Sequence, residues 1–184
     1  MGSRQKLPVS LIVACSINRV IGKQGKLPWN LPADWAFFSS ITKHQVLVVG
    51  RRSFEEFQEP IPNRHTIVVS STLQRPTLCE YQAIDGKWSG VRVSRTLDQA
   101  LQVANVDPQY RDCSRVFIGG GETLYKEAMI AKIVESCYIT RVYKWIIDGD
   151  VFFPDWTKQF RHLTFSAKTT GGGRTRVSFE RWEK

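Results

Sequence analysis

Residues 46–53 read Val46-Leu47-Val48-Val49-Gly50-Arg51-Arg52-Ser53. The apolar run is rich in β-branched residues and does not alternate with polar ones. A strand with one wet face alternates, whereas a strand buried on both faces does not. Gly50 ends the run, and the pattern predicts a short helix beginning near Arg52 and including Phe54 and Phe57. The same signature recurs in Leu11-Ile12-Val13-Ala14, Thr66-Ile67-Val68-Val69 and Val116-Phe117-Ile118. Helical patterns lie between or after these runs. Pro32 suits a first helical position and opens a helix over 32–43. Thr96-Leu97-Asp98-Gln99 has the form of a capping box, with Leu97, Ala100, Leu101 and Ala104 at helical spacing. A fourth helix follows Gly119-Gly120-Gly121 and carries Leu124, Tyr125, Ala128 and Met129 on one side.

Near residue 134 the pattern changes. Residues 137–142, 162–168 and 175–182 read as strands, and in the last Val177 and Phe179 alternate with Ser178 and Glu180. Gly171-Gly172-Gly173 between the last two predicts a hairpin. Residues 72–90 are polar and irregular and read as a surface connection. The expected fold class is α/β: a mostly parallel central sheet flanked by helices, with an antiparallel C-terminal hairpin. One domain is expected over residues 1–184, without internal repeat or linker.

A chain of 184 residues buries roughly 70% of its unfolded surface, so no disulfide or metal staple is needed. Apolar content of 42% and charged content of 23% exclude a disordered chain, a collagen-like chain and a disulfide scaffold. No run approaches the ~18 apolar residues of a membrane span, and Met1 to Lys6 lacks a signal-peptide layout. A cytoplasmic protein without a membrane partner is expected. Lys and Arg number 26 against 17 Asp and Glu, a net charge of +9 that attracts anions. The basic residues are scattered, so nucleic acid is not an expected partner. Cys15, Cys79, Cys113 and Cys137 are far apart, as free thiols in a reducing compartment are. His44, His65 and His162 have no metal or triad spacing, and no metal is expected.

The stretch from Arg19 to Thr42 is the richest in chemistry. Two glycines and two prolines make Gly22 to Pro32 a long shaped loop and not a hairpin. In the helix that follows, Asp34, Phe38 and Ile41 share one face. A carboxylate on an apolar face, flanked by Trp29 and Trp35, is desolvated, which raises its pKa toward a range useful for proton transfer. The plainer alternative is a first-turn acid favoured by the helix dipole. Gly119-Gly120-Gly121 either offers backbone N–H groups to a phosphate or lets strand and helix pack closely. Gly50-Arg51-Arg52-Ser53 is a second phosphate candidate, or a solvated basic turn. Arg64 could clamp a carboxylate through its planar fork.

Taken in order, these segments resemble the dihydrofolate reductase family, nearly end to end from Val9 to Trp182. The strongest part is I-G-x-x-G-x-L-P-W-x-L-P-A-D-x-x-x-F at Ile21 to Phe38. V-G-R-R-S-F (49–54), P-I-P-N-R (60–64), V-V-S-S (68–71), I-G-G-G (118–121), I-T-R (139–141) and D-V-F-F-P (150–154) support it. The resemblance implies NADPH-dependent reduction of 7,8-dihydrofolate to tetrahydrofolate, with hydride to C6 and a proton to N5. It implies Asp34 as the active-site carboxylate, Trp29 as holder of an ordered water, and Thr140 as support for both. Ile12, Val13, Trp35, Phe38, Phe57 and Ile118 would line the substrate pocket, and Arg64 would pair with the glutamate α-carboxylate. Ala14, Ile21 and Gly22 would meet the nicotinamide amide, and Tyr125 the nicotinamide end. Gly119, Gly120 and Gly121 would approach the pyrophosphate. Arg51, Arg52 and Ser53 would hold phosphates, with Ser70, Ser71 and Arg95 around the 2′-phosphate. Antifolates would compete for the pocket, and a monomer is implied. Departures are a Gly121–Tyr125 spacing one residue longer than usual, Phe54 for a tryptophan, and Val151 for a threonine. A related pterin or pyrimidine reductase and a non-catalytic anion-binding protein are the competing readings.

Overall fold

The structure is a computed structural model that describes residues 5–57, 61–73, 81–82, 88–170 and 175–184. Pro60, Cys79 and the expected Gly171–Gly173 turn lie outside the described residues. The strands are β1 Val9–Ser16, β2 Val20–Gly22, β3 Val46–Gly50, β4 His65–Val69, β5 Tyr81–Gln82, β6 Trp88–Ser89, β7 Val91–Ser94, β8 Val116–Ile118, β9 Val134–Val142, β10 Val151–Phe152, β11 His162–Thr170 and β12 Arg176–Glu183. The helices are α1 Pro32–Thr42, α2 Arg51–Glu56, α3 Leu97–Val106 and α4 Glu122–Ile130.

Eight strands form one sheet in the order β11-β12-β9-β1-β8-β3-β4-β7. Every neighbouring pair from β9 to β7 is parallel. The C-terminal strands β12 and β11 add antiparallel pairs at one edge. Two small antiparallel ladders, β10-β2 and β5-β6, lie outside this sheet, the latter within the stretch expected to be irregular. The non-alternating runs behave as their composition requires: Val46, Leu47, Val48 and Val49 are wholly buried. Alternate side chains serve two layers. Leu11, Val13, Val48, Ile67 and Ile118 pack with α3 and α4, through Leu97, Ala100, Leu124 and Ala128. Ile12, Leu47, Val49, Val68 and Phe117 pack on the other face with Phe38 and Ile41 of α1 and with Phe54 and Phe57.

Local signals set the helix starts. The Thr96 hydroxyl accepts from the Gln99 amide at 3.2 Å, as the capping box predicts. The Gln99 side chain returns the bond to the Arg95 amide at 3.1 Å, one residue before the cap. The loop after β2 corrects the sequence reading. It contains a tight reversal in which Lys23 and Lys26 exchange backbone bonds of 2.9 and 3.1 Å. Gln24 (φ 50°) and Gly25 (φ 76°) both take the left-handed region, as a type I′ hairpin turn requires.

Residues 143–150 return beside this loop. A methyl group at Gly149 would lie 2.2 Å from Cγ1 of the fully buried Val20, so only glycine fits. Gly149→Ala should therefore destabilise the fold by roughly 1–3 kcal/mol. Urea unfolding reads this directly, and an unchanged midpoint would contradict the packing.

Candidate active site

Asp34 enters the site because α1 is pinned at its first turn. Pro32 stands at the start of the helix, and the Trp35 amide donates to the Leu31 carbonyl at 3.1 Å. Leu31 packs with Val142 and Val177, with Trp29 and Phe179 against them. Phe37 stacks on Phe179 at 4.5 Å between centroids. Phe179 lies opposite Thr140 in the β12–β9 register, and Ala14 lies beside Thr140 in the β1–β9 register. The buried Thr140 hydroxyl donates to the Asp34 carboxylate. Burial raises the Asp34 pKa above the ordinary carboxylate value, and the Thr140 bond opposes the rise only in part. The Trp29 indole N–H is buried with no hydrogen-bond partner among the described residues.

From Asp34 an apolar wall continues along α1. Trp35 stacks on Phe38 at 5.6 Å and is tilted against Phe57 at 6.5 Å. Ile12 joins the same apolar layer. At the far end Arg64 is buried, donates from Nη2 to the Ser39 carbonyl at 3.4 Å, and lies over the Phe38 ring at 5.5 Å. Burial lowers its pKa to about 10, which leaves it cationic at neutral pH. Asp34 and Ser39 are five positions apart, or about 7.5 Å along the helix axis. One carboxylate, an apolar slot and one guanidinium thus succeed each other along a single helix.

Two expected pocket residues are placed elsewhere. The Ile118 side chain points into the α3–α4 layer, opposite Ile12, Phe38 and Phe57. Strand alternation explains it: Phe117 takes the cleft face, so Ile118 cannot. The Val13 side chain likewise joins the α3–α4 layer, which leaves only its backbone on the cleft side.

The other candidates line the carboxyl edge of the sheet. The Gly119 amide donates to Val48, the Gly50 amide to Gly120 at 2.7 Å, and the Ser70 amide to Ser94. With the β3–β4 pairing, these bonds tie the ends of β8, β3, β4 and β7 into one row. Three steps of about 4.8 Å place Gly119 about 14 Å from Arg95. Gly120 has φ 123°, and a Cβ there would come within 3.1 Å of the Ser53 hydroxyl. A Cβ at Gly119 would meet Leu47 at 2.8 Å. Despite the longer spacing, Tyr125 reaches the sheet: its buried hydroxyl donates to the Ile12 carbonyl at 2.8 Å. Arg51, Arg52, Ser71 and Arg95 are exposed along this row. Arg51 is held by Glu55 at 2.6 Å. The buried Ser70 hydroxyl is engaged in its own turn, accepting from Leu73 at 3.0 Å. Ile21 is half-buried against the α3–α4 layer, and Gly22 faces Val151 across the β2–β10 pair.

Some groups at the loop carry no signal in the sequence. The Gln24 amide donates to the Asp150 carboxylate at 2.8 Å, and Lys23 pairs with Asp148. The Leu27 amide donates to Glu56 at 2.7 Å. Each partner is remote in the chain, so no local spacing announces it.

This is an α/β protein whose glycine and arginine candidates lie along the carboxyl edge of a parallel sheet, with the half-buried Asp34 carboxylate on the adjoining helix α1. The chain belongs to the dihydrofolate reductase family, whose model matches residues 8–184. Dihydrofolate reductase type 3 of Salmonella typhimurium is 36% identical over 148 residues, 80% of this chain and 79% of that protein. The Bacillus subtilis dihydrofolate reductase is 31% identical over 172 residues, 94% of this chain and 90% of that protein. A solved structure of dihydrofolate reductase from Enterococcus faecalis, complexed with NADP(H) and RAB-propyl, matches with a TM-score of 0.75 at 31% identity. It covers 96% of this chain and 95% of that one.

The raised Asp34 pKa has a consequence for stability. Between the unfolded and the folded pKa the native state binds more protons, so stability falls as pH rises through that window. Asp34→Asn removes the buried charge. Its melting temperature should exceed that of the parent protein at pH 7, and the gap should close as pH falls toward the ordinary value of 3.8. A gap that widens on acidification would contradict this.

Proposed function

We propose that the chain reduces 7,8-dihydrofolate to tetrahydrofolate with NADPH, and that Asp34 is its proton-handling group. The observation that carries this is the half-buried Asp34 carboxylate, held by Thr140 on an otherwise apolar face. Family membership and the NADP(H)-bound relative from Enterococcus faecalis support the same reading.

The residues fit NADPH. The Gly119–Gly121 run is so closed by Leu47 and Ser53 that side chains would fill it, and it opens onto the N-terminus of α4. Oriented amides and a helix start favour a pyrophosphate. Arg51, Arg52, Ser53, Ser71 and Arg95 hold the remaining phosphates along the row. Ala14, Ile21 and Gly22 would meet the nicotinamide end, together with Tyr125. Bound NADPH supplies the hydride.

Asp34 accepts hydrogen bonds from the pterin 2-amino group and N3, and promotes protonation of N5 through a water held by the Trp29 indole. Ile12, Trp35, Phe38 and Phe57 sandwich the flat rings and exclude water, so proximity and one proton suffice. Arg64 pairs with the glutamate α-carboxylate. Antifolates that copy the pterin edge compete for Asp34.

NADPH oxidation by the purified protein, with and without dihydrofolate, tests the reaction. Dihydrofolate-dependent oxidation that prefers NADPH to NADH and is blocked by methotrexate is expected; folded protein without such oxidation would overturn the reading. Asp34→Asn should cut turnover at neutral pH by about 10²-fold or more, with partial recovery at low pH. Undiminished turnover would remove the proton-handling role. Arg64→Leu should raise the dihydrofolate KM about tenfold or more with a smaller change in kcat. An unchanged KM would remove the clamp.

A further inference from the structure

The Lys23–Trp29 loop is anchored on two sides. On one side lie the Gly22 pairing with β10, the Gln24 amide on Asp150, and the Lys23–Asp148 ion pair. Its tip is a tight reversal in which Gln24 and Gly25 both have positive φ, as in a type I′ turn. On the other side the loop meets α2, where the Leu27 amide donates to the Glu56 carboxylate at 2.7 Å. Leu27 precedes Pro28, and a residue before proline is confined to extended conformations. Glu56 immediately precedes Phe57, a ring of the cleft wall. Its neighbour Glu55 is already engaged by Arg51.

We propose that Glu56 is a positioning residue whose carboxylate pins the Leu27 peptide across the cleft and holds the Lys23–Trp29 strap closed over the reacting rings. It acts through Leu27 and touches neither substrate nor cofactor. The inference rests on the folate-reductase reading for its kinetic consequence, but not for the contact itself.

The test uses the full chain with Glu56→Ala and Glu56→Gln. In Glu56→Ala the Leu27 amide should exchange with deuterium about three- to tenfold faster, and single-turnover hydride transfer to dihydrofolate should slow about three- to tenfold. Glu56→Gln keeps an acceptor oxygen and should restore both within about twofold. Glu56 is exposed, so the melting temperature should stay close to that of the parent. Unchanged Leu27 exchange in Glu56→Ala overturns the proposal. So does a glutamine variant as impaired as the alanine one, or a rate loss that merely tracks lost stability. If the parent protein fails to oxidise NADPH with dihydrofolate, the functional reading falls, and Leu27 exchange alone decides the strap contact.

Discussion

One charge is placed where the rest of the molecule would exclude charge. The Asp34 carboxylate sits on the apolar face of α1, and among the described residues the Thr140 hydroxyl supports it. A buried carboxylate is costly unless something fixes it, and a single hydroxyl can do so only if helix and strand cannot drift. That requirement explains the antiparallel edge. Strand β12 brings Phe179 opposite Thr140, and Phe37 of α1 stacks on it. Leu31, Val142 and Val177 close the other side of the helix start. The C-terminal strands are thus the wall against which the carboxylate is held.

The parallel part of the sheet serves a different demand. Parallel strands end together, so their last amides form a continuous row, and the row is knit by bonds from Gly119, Gly50 and Ser70. The glycines follow from crowding. Leu47 fills the space beside Gly119, and Gly120 adopts a conformation that side chains disfavour. Tyr125 then closes the bottom of the row by bonding the Ile12 carbonyl from the opposite layer.

The strands and helices were legible because burial leaves a composition signature: the β3 run reads as doubly buried and is. Asp34 was legible for a related reason, since an acid in phase with Phe38 and Ile41 contradicts its helix face. Phase within a short strand was harder. The β8 run is apolar at every position, so nothing in its sequence says which of Phe117 and Ile118 faces the cleft; only the layers settle it. The reversal at Gln24–Gly25 was hidden because flanking lysines give no strand pattern. Asp150 stood in a motif whose role the sequence did not reveal, and Glu56 and Asp148 were illegible for a deeper reason. Each holds a loop backbone group or side chain far away in sequence, and a carboxylate that binds a remote amide leaves no periodicity.

The basic surplus acquires meaning from its placement. Cations stand at the two ends of the cleft, with Arg64 buried at one end of α1 and Arg51, Arg52 and Arg95 exposed along the strand row. The centre carries the single carboxylate. An anionic group entering the centre meets Asp34 and low polarity, both unfavourable; at either rim it meets a guanidinium. Two ligands that are each flat at one end and anionic at the other are therefore sorted in opposite directions, tails outward and rings inward. On the proposed reading those rings are the pterin and the nicotinamide. On that same reading, the placement of charge brings the two reactive faces together beside Asp34.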